Sequence, residues 1–231
     1  MQDRRSNPPV ATPSSARGAD GPPAHERIYR DLRSRIMHGE LMPGEHLTLR
    51  GLAEEYGLSM TPVREAVRRL STEGALALTA TGRITTPELD AARIEELAVL
   101  RSLIEPELAA RALPRAHFAL IDRMNAINSS IAEAAVKGDA CRYIRHNLEF
   151  HRALYLRAQA PAMLAVIETV WLQLGPTMRR LYEDLPRQVP PRAHRVMLAA
   201  LKAGDEPALR LAVKTDVTRG LRHLLGQEGG G

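Results

Sequence analysis

Aromatic residues are scarce in this sequence and cysteine is almost absent. Aromatics make up 3% of the 231 residues, against 44% hydrophobic residues overall. A core built mainly from Leu and Ala suits packed helices better than sheets. The single cysteine, Cys141, excludes an internal disulfide and fits a reducing compartment; its simplest role is that of a small buried hydrophobe. No apolar run reaches the roughly 18 residues a membrane helix needs. The N-terminal stretch lacks the apolar segment of a secretory signal. These absences lead us to expect a soluble, cytoplasmic chain with no membrane contact. Charge of one clear sign is missing as well. The net charge is +5, but over residues 26–86 nine basic groups meet eight acidic ones. Bulk charge therefore decides nothing about nucleic acid, and only the placement of charges can.

What is present divides the chain. Residues 1–24 are rich in Pro, Ser, Ala and Gly without periodicity and read as a disordered tail, as do residues 226–231 at the other end. Between them lie two domains. Residues 25–88 read as helix (25–38), turn (MPGEHL), helix (49–56), helix opened by Thr61-Pro62, and a β-hairpin from ALALT and RITTP. Residues 89–225 read as six antiparallel helices at about 90–113, 116–137, 139–158, 160–182, 190–203 and 205–225, with a kink expected at Gly175-Pro176. The expected fold is mainly α: a winged helix-turn-helix followed by an all-α bundle.

The stretch LRGLAEEYGLSMTPVREAVRRL carries helix-turn-helix geometry. Ala53 is small where two helices cross, and Gly57 permits a left-handed turn. Val63 then packs the second helix onto the first. A helix before this unit and a hairpin after it make a winged helix. Val63, Ala66 and Val67 face inward, so Met60, Thr61, Arg64 and Arg68 face outward, where a recognition helix meets the major groove. Arg64 suits guanine or phosphate, Thr61 and Arg50 suit the backbone, and Gly82 and Arg83 at the hairpin tip suit the minor groove. Arg69 is read as a solvated charge.

The bundle places polar groups on apolar stripes. Helix 139–158 aligns Ala140, Ile144, Asn147, His151, Leu154 and Ala158, while Arg142, Arg145, His146, Glu149 and Arg152 form its solvated face. His194 shares a stripe with Met197, Leu198 and Leu201. Asp216 shares one with Leu209, Ala212 and Val213. A single inward histidine is usually a satisfied core residue. Four such groups on three helices are most economically satisfied by convergence, because a buried unpaired carboxylate is very costly. Two imidazoles, a carboxylate and an amide oxygen suit Zn, Ni, Mn or Fe(II). Arg101 also lies on an apolar stripe. It can receive an anion, a carboxylate best of all, or bridge to Glu105 one turn on.

The run from Leu32 to Leu76 resembles the DNA-binding domain of the GntR family of bacterial transcription regulators. Its "G-x-L-x-P-G" turn matches Gly39 to Gly44, and its "S-R-T-P-V-R-E-A-L" core matches Ser59 to Val67. The resemblance implies that Arg50 and Arg64 meet DNA, Ser59 in the matched core is a further candidate, and the chain departs at Met60, where the family usually has arginine. The second half resembles the FCD ligand-binding domain of the FadR-type branch, through "L-R-x-x-I-E" (Leu100 to Glu105) and "F-H-x-x-L" (Phe150 to Leu154). Six helices place it with the VanR-like subgroup. The family's metal ligands are an Asp four residues before a His, then two further His. Here Asn147 replaces the Asp, His151 and His194 match, and Asp216 stands where the third His is expected. The family's effectors are small organic acids, and Arg101 falls where an effector carboxylate is often bound.

The resulting expectation is a homodimeric, ligand-responsive repressor of a double-stranded DNA operator, released by a small organic acid. Two other readings stay open: a constitutive DNA binder with a metal-free pocket, and a metal-dependent enzyme built in a helical bundle.

Overall fold

A computed structural model describes residues 21–79, 83–184 and 192–228. The expected tail over residues 1–20, Gly82 at the hairpin tip and the prolines at 186, 190 and 191 lie outside these residues. The first helix, α1 (Ala24–Met37), buries Ile28, Leu32 and Ile36 at 0–1% exposure. It stops at His38, and Gly39 follows in the left-handed region at φ +69°. Next comes α2 (Leu49–Tyr56), capped by the Thr48 hydroxyl accepting from Gly51 N and ended by Gly57 at φ 63°. Helix α3 (Met60–Thr72) buries Val63, Ala66, Val67 and Leu70 against α1 and α2. It begins with Ser59 as N-cap rather than with Thr61. Pro62 is thus its third residue, still in the first turn, where a missing N–H leaves no helical bond unmade.

The hairpin is part of a three-stranded antiparallel sheet. Strands β1 (His46–Thr48), β2 (Ala77–Leu78) and β3 (Arg83–Thr85) lie in the order β1-β3-β2. Ile84 sits opposite both Leu47 and Leu78 and is fully buried. Strand β1 thus includes His46 and Leu47 of the MPGEHL stretch expected as a turn.

Six further helices follow among the described residues: α4 (Ala91–Ala112), α5 (Phe118–Lys137), α6 (Ala140–Tyr155), α7 (Pro161–Asp184), α8 (Arg192–Ala203) and α9 (Glu206–Glu228). Asp90 and Asp139 cap α4 and α6 by accepting from Arg93 N and Arg142 N. The last helix runs three residues past the expected 225, and Gln227 and Glu228, good helix formers, extend it. Helix α4 packs against α7 and α9, α5 against α6 and α8, and α8 against α9. No helix among the described residues is long and apolar enough to cross a membrane.

The two halves share one apolar cluster. Helix α7 runs unbroken through Gly175-Pro176, and the glycine has a use beyond loosening the helix. A Cβ at Gly175 would fall 2.0 Å from the Ile36 carbonyl oxygen at the end of α1. Gly39 packs beside it, against Ile144, Arg179 and the Gly175 carbonyl. Arg179 and the Cys141 thiol both donate to the Gly39 carbonyl oxygen, at 3.2 and 3.3 Å. Arg145 pairs with Glu40 at 2.7 Å, and Gln173 donates to the Glu73 carbonyl at 2.9 Å. Cys141 therefore sits at the seam between the halves.

Candidate functional site

In the second half, the inward stripes of three helices meet. Along α6, Ile144, Asn147, His151 and Leu154 are all buried, His151 completely. His194 is completely buried on α8. Asp216 on α9 is 14% exposed, among the buried Leu209, Val213 and Val217. His151 Nε2 lies 3.0 Å from Asp216 Oδ2, and His194 Nε2 lies 3.6 Å from the same oxygen. Candidate ligand atoms of the three residues fall within 4.8 Å of one another, the one such group of three among the described residues. Asn147 sits one turn before His151 on the same stripe.

A second layer surrounds these groups. His151 Nδ1 is 3.1 Å from the Tyr155 hydroxyl, which donates to Glu105 Oε2 at 2.9 Å. Glu105 Oε1 accepts from Arg101 Nε at 2.6 Å and from Trp171 Nε1 at 3.1 Å. The bridge considered for Arg101 in the sequence is thus formed, and both partners are buried. His194 Nδ1 lies 3.1 Å from the Asn128 amide oxygen. Of eight aromatic residues in the chain, Tyr143, Phe150, Tyr155, Trp171 and Tyr182 gather here. The Phe150 ring stacks on His194 at 4.0 Å.

Electrostatics follow from this packing. Burial alone would raise the Asp216 pKa, but the two imidazoles beside it outweigh that and hold the carboxyl well below its usual range. Burial lowers the His194 pKa, and Asp216 only partly offsets that. Burial, with Glu105 beside it, keeps Tyr155 protonated far above its ordinary range. With the Asn128 amide oxygen facing it, Nδ1 of His194 is the ring nitrogen suited to carry the proton. Its Nε2 then presents a bare electron pair, buried and without a hydrogen-bond partner. An orphaned acceptor beside an ionised carboxylate is unfavourable unless a cation lies between them. The donor set of two imidazoles and one carboxylate fits a divalent transition metal.

Of the four residues that the sequence suggests converge, Asn147, His151, His194 and Asp216, the last three bring candidate ligand atoms together. Asn128, Tyr155 and Trp171 were not anticipated, nor was the central position of Glu105. Tyr155, one turn after His151, and Glu105, one turn after Arg101, are the local signals; Asn128 and Trp171 come from distant helices.

At the other end of the molecule, Ser59, Met60, Thr61, Arg64 and Arg68 are exposed along α3. Neither Arg64 nor Arg68 forms an ion pair with another described residue. Arg69, by contrast, pairs with Glu26 at 3.0 Å and lies over the Tyr29 ring. Exposed Arg50 pairs with Glu54 at 2.9 Å, and Arg83 is exposed where β3 begins.

Residues 24–83 match the model for bacterial regulatory proteins of the gntR family, and residues 96–219 match the FCD domain. The HTH-type transcriptional regulator McbR of Escherichia coli K12 is 32% identical over 80% of this chain and 85% of its own. The chain belongs to the GntR family. A solved structure of E. coli McbR/YncC superposes on this GntR protein with a TM-score of 0.82, covering 91% of this chain and all of that one at 28% identity. The gluconate operon transcriptional repressor of Bacillus subtilis is 25% identical over 78% of this chain and 76% of its own. This GntR chain is a DNA-binding transcription regulator and not an enzyme, so the helical-bundle enzyme considered from the sequence is set aside.

Proposed function

We propose that this regulator is a homodimeric repressor. In this reading residues 25–88 bind operator DNA, and residues 89–225 dimerise and sense a small organic acid in the cytoplasm. The observation that carries the proposal is one fold holding both an exposed, unpaired Arg64–Arg68 ridge and a buried three-ligand cluster.

Arg64 and Arg68 lie one turn apart on α3, and among the described residues no carboxylate pairs with either; exposed Glu65 between them pairs with His25. Arg64 is placed for bidentate recognition of guanine or for phosphate, and Ser59 and Thr61 at the helix start for phosphate. Met60 takes the place of a family arginine and offers only apolar contact, for example with a thymine methyl. Arg50 must exchange its Glu54 partner for phosphate, which costs little at so exposed a pair. Arg83 and Gly82 meet the minor groove. A two-fold dimer presents two α3 helices to a pseudo-palindromic operator.

In the sensing half, His151, His194 and Asp216, with Asn147 beside them, hold a divalent ion: Zn, Ni, Mn or Fe. The bound ion supplies Lewis-acid coordination for an effector carboxylate. Glu105 occupies Arg101 Nε, so Arg101 meets that carboxylate through its terminal nitrogens. Helices α6 and α7 line this region; α7 also touches the end of α1 and α6 the Gly39–Glu40 turn after it, so a shift in either moves the DNA-reading half. The test is operator retardation with and without candidate acids and a chelator, alongside metal analysis. Binding coupled through two states must be reciprocal, so operator should weaken effector affinity by the factor by which effector weakens operator affinity. Effector affinity unaltered by operator overturns the release mechanism. Operator binding indifferent to acid and chelator, with no metal found, leaves the constitutive, metal-free regulator.

A further inference from the structure

The hydrogen bonds behind the two histidines fix more than their positions. Arg101 Nε and Trp171 Nε1 can only donate, so Glu105 Oε1, 2.6 and 3.1 Å from them, accepts from both. Glu105 is fully buried, and the Arg101 guanidinium beside it balances an ionised carboxylate. Its other oxygen then accepts the one proton of the Tyr155 hydroxyl at 2.9 Å. With that proton committed, the phenol oxygen offers only electron pairs to His151 Nδ1, 3.1 Å away. Nδ1 must therefore carry a hydrogen. A neutral His151 consequently has no proton on Nε2, the atom that faces Asp216. Asn128 imposes the same arrangement on His194 from α5. Glu105, through Tyr155, and Asn128 thus set the directions of these bonds.

We infer that Glu105, acting through Tyr155, and Asn128 are positioning residues for the metal centre, each setting the tautomer of one histidine so that both Nε2 electron pairs are available to a cation. The inference rests on the metal reading above. It makes Arg101 a support for Glu105, and through Glu105 it ties helices α4, α6 and α7 to the state of His151.

The test uses the full chain, stripped with chelator, then titrated with Zn(II) in competition with a chromophoric chelator and with Co(II) followed by its visible absorption. Tyr155→Phe removes the hydroxyl and leaves the Arg101–Glu105–Trp171 contacts in place. It should weaken metal binding by about 10- to 100-fold, the range for lost outer partners of metal-bound histidine, and alter the Co(II) spectrum. Asn128→Leu should weaken it by a similar factor, and Asn128→Asp, which keeps an acceptor, should restore it. Histidine side-chain ¹⁵N spectra of the zinc-loaded protein should show both rings protonated at Nδ1. Tyr155→Phe is the decisive variant, because Glu105→Gln strips Arg101 of its counter-charge and can unfold the chain. Wild-type protein that takes up no metal overturns the metal reading and this inference together. Wild-type protein that binds metal, with Tyr155→Phe equal to it in affinity and spectrum, overturns this inference alone.

Discussion

Gly175 of α7 lies so close to Ile36 of α1 that a methyl group on it would sit 2.0 Å from the Ile36 carbonyl oxygen. That oxygen is backbone, so it cannot swing away as a side-chain tip does. Gly175→Ala is therefore expected to destabilise the protein, although alanine is intrinsically the better helix former by about 1 kcal/mol. Overpacking of this kind costs about 1–3 kcal/mol, and a backbone clash belongs at the upper end. Urea unfolding checks the sign; equal or greater stability would mean the helices separate easily.

Arg64→Ala and Arg68→Ala act on the exposed face of α3. Both side chains are exposed and without ion pairs among the described residues, so thermal stability should hold within about 0.5 kcal/mol. Operator affinity should fall by about 1–3 kcal/mol for a residue that pairs bidentately with a base, roughly five- to 150-fold. A residue that meets only phosphate should instead lower the salt dependence of binding by about one unit of slope. Retardation at several salt concentrations separates the two roles.

The carboxylate on α9 makes a third prediction. Asp216→Asn should abolish tight metal binding, since the remaining ligands are neutral. Asn147→Asp should strengthen binding by more than about tenfold, because it adds an anion one turn from His151. The double exchange should recover part of the affinity lost by Asp216→Asn. Competition titration measures all three, and a double exchange no better than Asp216→Asn would place Asn147 away from the ion.

Arg101 is checked by stability rather than by effector. Its side chain is 6% exposed and Glu105 is completely buried, so Arg101→Ala strands a buried carboxylate. Such losses run to about 3–5 kcal/mol, and urea unfolding of the effector-free protein should show it. A residue kept only to receive effector would cost far less there.

The helices of this protein are legible in its sequence because each carries a long apolar stripe and a local stop. Gly57 ends α2 in a left-handed turn, and Gly138 at φ 67° ends α5. The inward placement of His151 and His194 was readable for the same reason: periodicity assigns a face. It cannot assign a neighbour. Asn128 looked like any polar residue on α5, and only the fold brings it to His194, 66 residues away. Glu105 was visible as a partner for Arg101 through its four-residue spacing, yet its bonds to Tyr155 and Trp171 span 50 and 66 residues. Strand β1 escaped because three residues are too few to show an alternation. Gly175 announced a weak point in a helix, whereas its use is a close approach that no local pattern records.

The place of the candidate carboxylate on α9 has a topological consequence. A ligand at 147 would join His151 across four residues of one helix, a chelate that a single turn can form unaided. Asp216 joins His151 across 65 residues, from the last helix of the chain. By loop-closure scaling, such a link restrains an unfolded chain by roughly 2 kcal/mol more than a four-residue one. The proposed centre is complete only when α9 has docked, so a cation captured there would make its own binding and completion of the bundle a single event.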